Sequence, residues 1–402
     1  AQYDLRSIPV GDETLSVMEI WGAEYQENNA ILVSQDHLDI VLQIASRENC
    51  PVTPVGQVTG DGKVVVKDSK DGTTPFDLPL SLVLGKMPQK VFNLRSPQRS
   101  LLPLQLPEDI TVDSALRRVL RLLDVGSKRF LTNKVDRSVT GLVAQQQCVG
   151  PLHTPLSNVA VLAQTHFSLT GVATAVGEQP IKGLINNAAQ ARLTVGESLT
   201  NLVWAKITSL DDVKASCNWM WAAKLEGEGA KMWEACEAIR NILLELGPSI
   251  DGGKDSLSMA AKVGNETVIS PGEVTMTLYA PCPDITKTVT PDLKLYNTGV
   301  LYFIDLSGNE TNTSTTKKHY PLGGTSLSTV YGQLGNESSD VNDIELLKRT
   351  FETIQKLIDQ RLIVSGHDRS DGGLIVCLLE MAFAGNCGID INITTSSGEI
   401  DE

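Results

Sequence analysis

Three short runs in this 402-residue chain set carboxylates, amides and hydroxyls beside glycines, the composition of a site that holds phosphate and a hard cation. In Gly196-Glu197-Ser198-Leu199-Thr200-Asn201, Glu197 and Asn201 stand four residues apart, so on a helix both side-chain oxygens project from one face. An exposed polar pair is the commoner outcome of that spacing, but Leu199, Leu202 and Val203 imply a largely buried helix. Gly366-His367-Asp368-Arg369-Ser370-Asp371-Gly372-Gly373 lies between an apolar run, 362–364, and an apolar helix. Paired glycines at a helix start offer free amides to phosphate, and Asp368 is placed to hold the Mg2+ that phosphate brings. Asp371 reads equally well as a helix cap, and a lone histidine such as His367 is more often a structural turn residue than a base. Asp251-Gly252-Gly253-Lys254-Asp255-Ser256 lacks the spacing and the Gly-Lys-Ser/Thr ending of a phosphate loop, so a solvated turn is an equal reading. Lys128, between Ser127 and Arg129, has the surroundings of a surface lysine. Together these runs point to nucleotide and metal, and they name no reaction.

The elements that would carry them follow from apolar periodicity. A helix over 188–205 contains the first run. Another runs from Ala230 with Met232, Ala235, Ile239, Leu243 and Leu246 on one face, and Gly247-Pro248 stops it. An earlier one follows Thr111 as N-cap, and two later ones cover 344–358 and 374–383. Alternation predicts strands at 159–163, 274–280, 300–306 and 389–393, so helices interleave with strands as in an α/β or α+β domain. The first 70 residues predict a small βαββ unit, with strands at 30–33, 55–58 and 64–67 and a helix at 37–47. Residues 71–108 are turn-rich and read as a linker, and the Thr/Asn/Ser/Lys tract 309–318 reads as a mobile surface loop.

Composition narrows the classes. With 41% hydrophobic residues the chain can bury the cores of two or three domains. A net charge of -14 without a Lys/Arg stripe excludes a nucleic-acid scaffold, and no apolar run reaches the roughly 20 residues of a membrane span. Seven scattered cysteines without Cys-x-x-Cys spacing disfavour zinc and disulfides and fit a reducing, cytoplasmic setting. The sequons at Asn265, Asn309 and Asn336 follow no secretory leader and read as chance. The Ala-Gln-Tyr start and Ser-Gly-Glu-Ile-Asp-Glu end read as those of an excised piece.

Six segments, in order, make the chain recognisable: 127–139 (SKRFLTNKVDRSV), 144–151 (AQQQCVGP), the Gly-Glu-Ser-Leu-Thr-Asn run, Asn218-Trp219-Met220-Trp221, Gly253-Lys254-Asp255-Ser256-Leu257-Ser258-Met259, and the Gly-His-Asp-Arg-Ser-Asp-Gly-Gly run. They resemble the second half of the synthetase region of the large, single-chain phosphoribosylformylglycinamidine synthase family, and Trp21 to Glu27 resembles the segment closing its first half. The resemblance implies the duplicated fold shared with aminoimidazole ribonucleotide synthetase. Residues 1–70 would be the C-terminal part of the first B-type domain, 109–292 the second A-type domain and 293–402 a truncated second B-type domain. It also implies ATP-dependent conversion of formylglycinamide ribonucleotide plus glutamine to the amidine, through phosphoryl activation of the amide oxygen, in which Mg2+ neutralises charge.

On the same resemblance, the family's Mg2+ ligands fall at Asn158, Glu197, Asn201 and Asp368, its nucleotide contacts at Ser157 and Ser370, and a site lysine at Lys128. The family's first ligand is usually Asp, and Asn158 brings an amide oxygen without charge. The family's catalytic His and its glutaminase residues would lie outside this chain, which the missing synthetase and glutaminase domains would complete. Two other readings stay open: a structural module that only holds ATP or ADP, and another ATP-using relative such as a selenophosphate synthetase.

Overall fold

The computed structural model describes residues 1–96, 99–132, 141–307 and 320–392, which fall into two units, Ala1–Asn93 and Leu94–Glu402. In the first, β1 (Gln2–Asp4) pairs antiparallel with β2 (Gly56–Gln57) and parallel with β3 (Lys63–Lys67), which pairs antiparallel with β4 (Phe76–Pro79). Helices α1 (Val17–Gly22), α2 (Leu38–Arg47) and α3 (Leu80–Val83) accompany the sheet. Ser16 and Glu19 form a reciprocal capping box that starts α1. Leu5, Ile20 and Val66 are the buried centre, with Tyr3 and Phe76 packed on them. The run 30–33 is irregular rather than a strand, and its Ile31 and Leu32 are exposed. The turn-rich stretch after residue 70 is not all linker, because β4 completes the sheet there through backbone pairing that composition does not display.

In the second unit, helices α4 (Val112–Val119) and α5 (Arg129–Thr132) lead into strands β5 (Val143–Gln145), β6 (Cys148–Val149), β7 (Thr154–Pro155), β8 (Ala160–Ala163) and β9 (Gly171–Gly177). Then come α6 (Pro180–Gly183), α7 (Asn187–Leu202), β10 (Lys214–Met220), α8 (Glu228–Leu246), β11 (Ser249–Ser256), β12 (Ala260–Val263), β13 (Glu266–Ile269) and β14 (Glu273–Cys282). The last helices are α9 (Ser326–Val330), α10 (Ile344–Asp359) and α11 (Gly373–Gly385). Six strands form one sheet in the order β11-β10-β14-β9-β8-β5, antiparallel except for β10 with β11. Along β14 every second residue is buried, from Val274 through Met276 and Leu278 to Ala280 and Cys282, the alternation of a strand with one face in the core. Helix α7, started by the Asn186 side chain, lays Ala191, Val195, Leu199 and Leu202 against β9 and β14 and packs on α8. The architecture is mixed α and β, as the interleaved periodicities imply.

Three predicted elements differ. Residues 251–256 are not a turn but most of β11, an edge strand whose register with β10 is set by backbone bonds. Residues 300–306 and 389–392 are irregular despite alternation; Val300 and Tyr302 are exposed, and Leu306 packs on the core without belonging to a strand. The tract 309–318 lies outside the described residues, as do positions 133–139 of the first resemblance segment.

Candidate functional site

Four chain segments meet at one end of β8 and β9. The turn Ser157–Val159 enters β8, with Ser157 Oγ donating to the Val159 carbonyl at 2.8 Å. Helix α7 crosses the end of β9, where Glu197 accepts from the Glu178 backbone N–H at 2.7 Å and from Gln179 Nε2 at 3.0 Å. One turn on, Asn201 Nδ2 donates to the Val176 carbonyl at 3.0 Å. These bonds fix both side chains of the i, i+4 pair by tying the helix to the last residues of a buried strand. The fourth segment, 366–371, brings in His367, Asp368 and Ser370 ahead of α11.

At the centre, Asn158 Nδ2 donates to Asn201 Oδ1 at 2.6 Å and to Asp368 Oδ1. Asn158 Oδ1 lies 2.8 Å from His367 Nδ1, and His367 Nε2 lies 2.9 Å from Glu380 Oε2 on α11. A cavity of about 460 Å3 opens over this cluster, lined by Ser157, Asn158, Glu197, Asn201, Asp368 and Ser370 together with Gln147, His367 and Glu380. Six of the seven residues expected from the sequence therefore share one cavity. Lys128 does not line it, since its Nζ donates to the Asp124 and Gly126 carbonyls at 3.0 and 2.7 Å.

The electrostatics favour a positive guest. Burial pushes the Asp368 carboxyl above the usual carboxylate range, against the pull of His367 and the Asn158 amide. Burial likewise raises Glu197 to about 7, although Gln179 and the Glu178 N–H stabilise its charged form. Two such carboxyls and the Asn201 side-chain oxygen are donors of the kind that hard cations take. Asn201 Oδ1 and Asp368 Oδ1 already converge on one electropositive group, the Asn158 amide nitrogen. The four residues expected as ligands carry the oxygen chemistry that Mg2+ takes, two of them neutral. No group of three His, Cys, Asp or Glu side chains placed to hold a metal occurs among the described residues.

His367, which the sequence reads as more often a structural turn residue than a base, lines the cavity, and so does Glu380, which the sequence analysis does not single out. The signal for Glu380 was available, because it is the only charged residue in the thirteen of α11. Asp371 does not cap that helix; the N-cap position is Gly372, whose N–H donates to Ser326 Oγ at 3.1 Å. The Asp251–Ser256 run lies on edge strand β11 and lines no part of the cavity.

Comparison with known proteins places the molecule. Residues 127–281 match the FGAR-AT PurM_N-like domain, and residues 1–69 and 316–401 match the AIR synthase related protein, C-terminal domain. The phosphoribosylformylglycinamidine synthase of Dictyostelium discoideum is 53% identical over 98% of the chain, and that of Homo sapiens 52% identical over 96%. The chain belongs to the phosphoribosylformylglycinamidine synthase family. It spans 29% of the length of each of these two relatives. Among solved structures, PurLQS from Thermotoga maritima aligns with a TM-score of 0.51 over 72% of this chain and 43% of its own, at 15% identity. T. maritima PurL complexed with FGAR aligns with a TM-score of 0.50 over 72% and 42%, at 14% identity. These structural likenesses bear on the fold. Of the six converging side chains, Ser157, Asn158, Glu197 and Asn201 come from the stretch that matches the FGAR-AT PurM_N-like domain, and Asp368 and Ser370 from the stretch that matches the AIR synthase related C-terminal domain.

Proposed function

We propose that this chain carries a Mg2+–nucleotide pocket of a ligase that converts formylglycinamide ribonucleotide to its amidine, with Asn158, Glu197, Asn201 and Asp368 as cation ligands and Ser157 and Ser370 as nucleotide contacts. The observation that carries the reading is the convergence of all six in one cavity at the mouth of β8 and β9, with two carboxyls withdrawn from water there. Bound Mg2+ would neutralise the charge of the di- or triphosphate, which this acidic wall would otherwise repel. Glu197 and Asn201 orient ligand oxygens because the Glu178 N–H, Gln179 and the Val176 carbonyl hold them. Ser370 sits two residues before the N-cap of α11, where backbone amides favour phosphate.

The reading includes glutamine as nitrogen source for the complete enzyme, domains of the same protein as its partners, and a cytoplasmic location. None of the described helices is long and apolar enough to cross a membrane. Calorimetric titration with Mg-ADP tests the assignment. Glu197→Ala is expected to weaken binding at least tenfold while the folded signal persists. Asn158→Asp is expected to tighten Mg2+ binding, since another carboxylate enters the set. Unchanged affinity in Glu197→Ala would sink the pocket assignment, and unchanged or weaker Mg2+ affinity in Asn158→Asp would remove residue 158 from the ligands.

A further inference from the structure

Resting on that reading of the pocket, we infer that Lys182, acting through Gln179, is a positioning residue that holds Glu197 with one carboxylate oxygen toward the cation. Glu197 Oε2 accepts from the Glu178 N–H at 2.7 Å and from Gln179 Nε2 at 3.0 Å. Both bonds fall on the same oxygen, so Oε1 is the one left for a guest in the cavity that Glu197 lines. Behind Gln179 stands Lys182 on α6, whose Nζ donates to Gln179 Oε1 at 3.1 Å and to the Gly324 carbonyl at 3.2 Å. Lys182 itself lines no part of the cavity, so its route to the guest runs through Glu197.

The count of donors and acceptors fixes the sense of this relay. The Gly324 carbonyl can only accept, so Lys182 donates to it and, with another N–H, to Gln179, whatever charge the amine carries. An amide has one accepting oxygen and one donating nitrogen, and a half-turn about its last torsion exchanges them. Turned over, Gln179 would set N–H groups against Lys182 and an oxygen against Glu197 Oε2, two meetings of like with like. In the arrangement seen here both ends are matched. Glu197 by itself would also select the amide nitrogen, but a glutamine side chain has three rotatable bonds and sweeps when only its tip is held. Lys182 removes that freedom because its second anchor is itself fixed. Gly324 has a φ of 66° and donates its N–H to the Leu334 carbonyl at 2.8 Å, and the Gly323 N–H donates to the Glu337 carbonyl at 2.9 Å. Two residues after Gly324, Ser326 Oγ accepts from the Gly372 N–H at 3.1 Å, so one loop ties together the segments that carry Glu197 and Asp368. Residues that hold a metal ligand from behind typically contribute 10- to 100-fold in affinity.

The test combines a double-mutant cycle with side-chain NMR on the whole chain. Mg2+ is titrated calorimetrically into the chain with ADP present, and ADP into the chain without Mg2+. Lys182→Met keeps the apolar stem and loses the N–H groups; it is expected to weaken Mg2+ binding about tenfold while ADP affinity without Mg2+ changes less than about twofold. Charge repulsion alone predicts the opposite sign, because removing a cation behind Glu197 should strengthen Mg2+ binding. Lys182→Arg, which keeps donors, retains most of the affinity. In a Gln179→Leu background, where the relay is already cut, Lys182→Met changes Mg2+ affinity less than about twofold. The side-chain amide hydrogens of Gln179, assigned with the Gln179→Leu sample, are expected to exchange slowly with water in the unaltered chain and faster in Lys182→Met. Unchanged or tighter Mg2+ binding in Lys182→Met overturns the inference. So do equal losses in both backgrounds, which assign Lys182 to packing, and an equal loss of ADP affinity without Mg2+, which makes it a phosphate contact. An exchange rate at Gln179 that Lys182→Met leaves unmoved overturns it without any ligand. Lysine-dependent protection of Gln179 in a chain that shows no Mg2+-dependent ADP binding would remove the pocket reading while upholding the anchoring role of Lys182.

Discussion

Asp68 and Glu197 are both carboxylates withdrawn from water, and they meet the cost of charge in opposite ways. Asp68 is 1% exposed and accepts from Arg6 Nε and Nη2 at 2.8 and 2.6 Å and from the Lys70 N–H at 2.8 Å. The Arg6 guanidinium, opposed by burial, holds its pKa down at about 2. Because that value lies below the free-residue value, the stabilising contribution is complete above about pH 4 and is lost as pH falls through about 2. Arg6→Gln removes the cation and leaves a buried carboxylate, so the first unit should be weaker at pH 7 and its acid transition should move to higher pH. Amide NMR signals of β1 and β3 followed through an acid titration check this, and an unmoved transition would refute it. Glu197 has no such partner, and its rise to about 7 is the mark of a carboxyl that still lacks a counter-charge. That it shares a face with Asn201 was legible from spacing, because i, i+4 side chains lie on one side of a helix whatever surrounds them. The contact of Asn158 with Asp368 was not legible from periodicity. The two lie 210 residues apart, and family resemblance alone placed them together.

Between residue and molecule, the decisive contact is α7 on the end of β9. A Cβ built on Gly177 would run into the Thr194 carbonyl and the Ser198 backbone nitrogen, so the strand and helix touch backbone to backbone there. That closeness is what lets Glu197 reach the Glu178 N–H and Asn201 reach the Val176 carbonyl. Gly177→Ala should push α7 outward, destabilise the chain by about 2 kcal/mol as overpacked cores do, and weaken Mg-ADP binding beyond the loss of stability. Thermal melts and calorimetry on one preparation measure both, and a variant with native affinity would show that the approach does not build the pocket. The helices of this region were readable because caps and apolar stripes are local: Thr111 and Asn186 accept from the first turns of α4 and α7, and Gly247 ends α8. Strand β11 was not readable. Its residues Asp251–Ser256 have the polar, glycine-rich composition of a turn, and only pairing with β10, through Asn218–Lys254 and Trp219–Asp255, makes them a strand. Residues 300–306 fail the other way: they alternate, yet they pair with no strand among the described residues, and Val300 and Tyr302 stay exposed.

At the scale of the whole molecule, binding and turnover should separate. The pocket residues Ser157, Glu197, Asn201, Asp368 and Ser370 all belong to the second unit, so the 402-residue chain should hold Mg-ADP by itself. A ligand that binds only the folded state stabilises it by mass action, about 2.7 kcal/mol at a hundredfold excess over Kd, which raises the melting temperature by several degrees. Release of ammonia from glutamine is a different demand, because it needs a thiolate activated by a neighbouring base. Among the described residues no hydrogen bond joins a cysteine to a histidine, and burial pushes Cys217 and Cys377 up to about 11 and 12, far from a ready nucleophile. The chain also spans only 29% of the length of its relatives, so the remaining machinery of the proposed reaction is expected in the rest of such a protein. The expected outcome is a melting shift with Mg-ADP and no sustained phosphate release from ATP with formylglycinamide ribonucleotide, whether the nitrogen source is glutamine or an ammonium salt. Differential scanning fluorimetry measures the first and a coupled phosphate assay the second. Steady, substrate-dependent phosphate release would place the catalytic pocket on this chain. Absence of any shift at saturating Mg-ADP would mean that the cavity over Asn158 and Asp368 is not a nucleotide site in this chain alone.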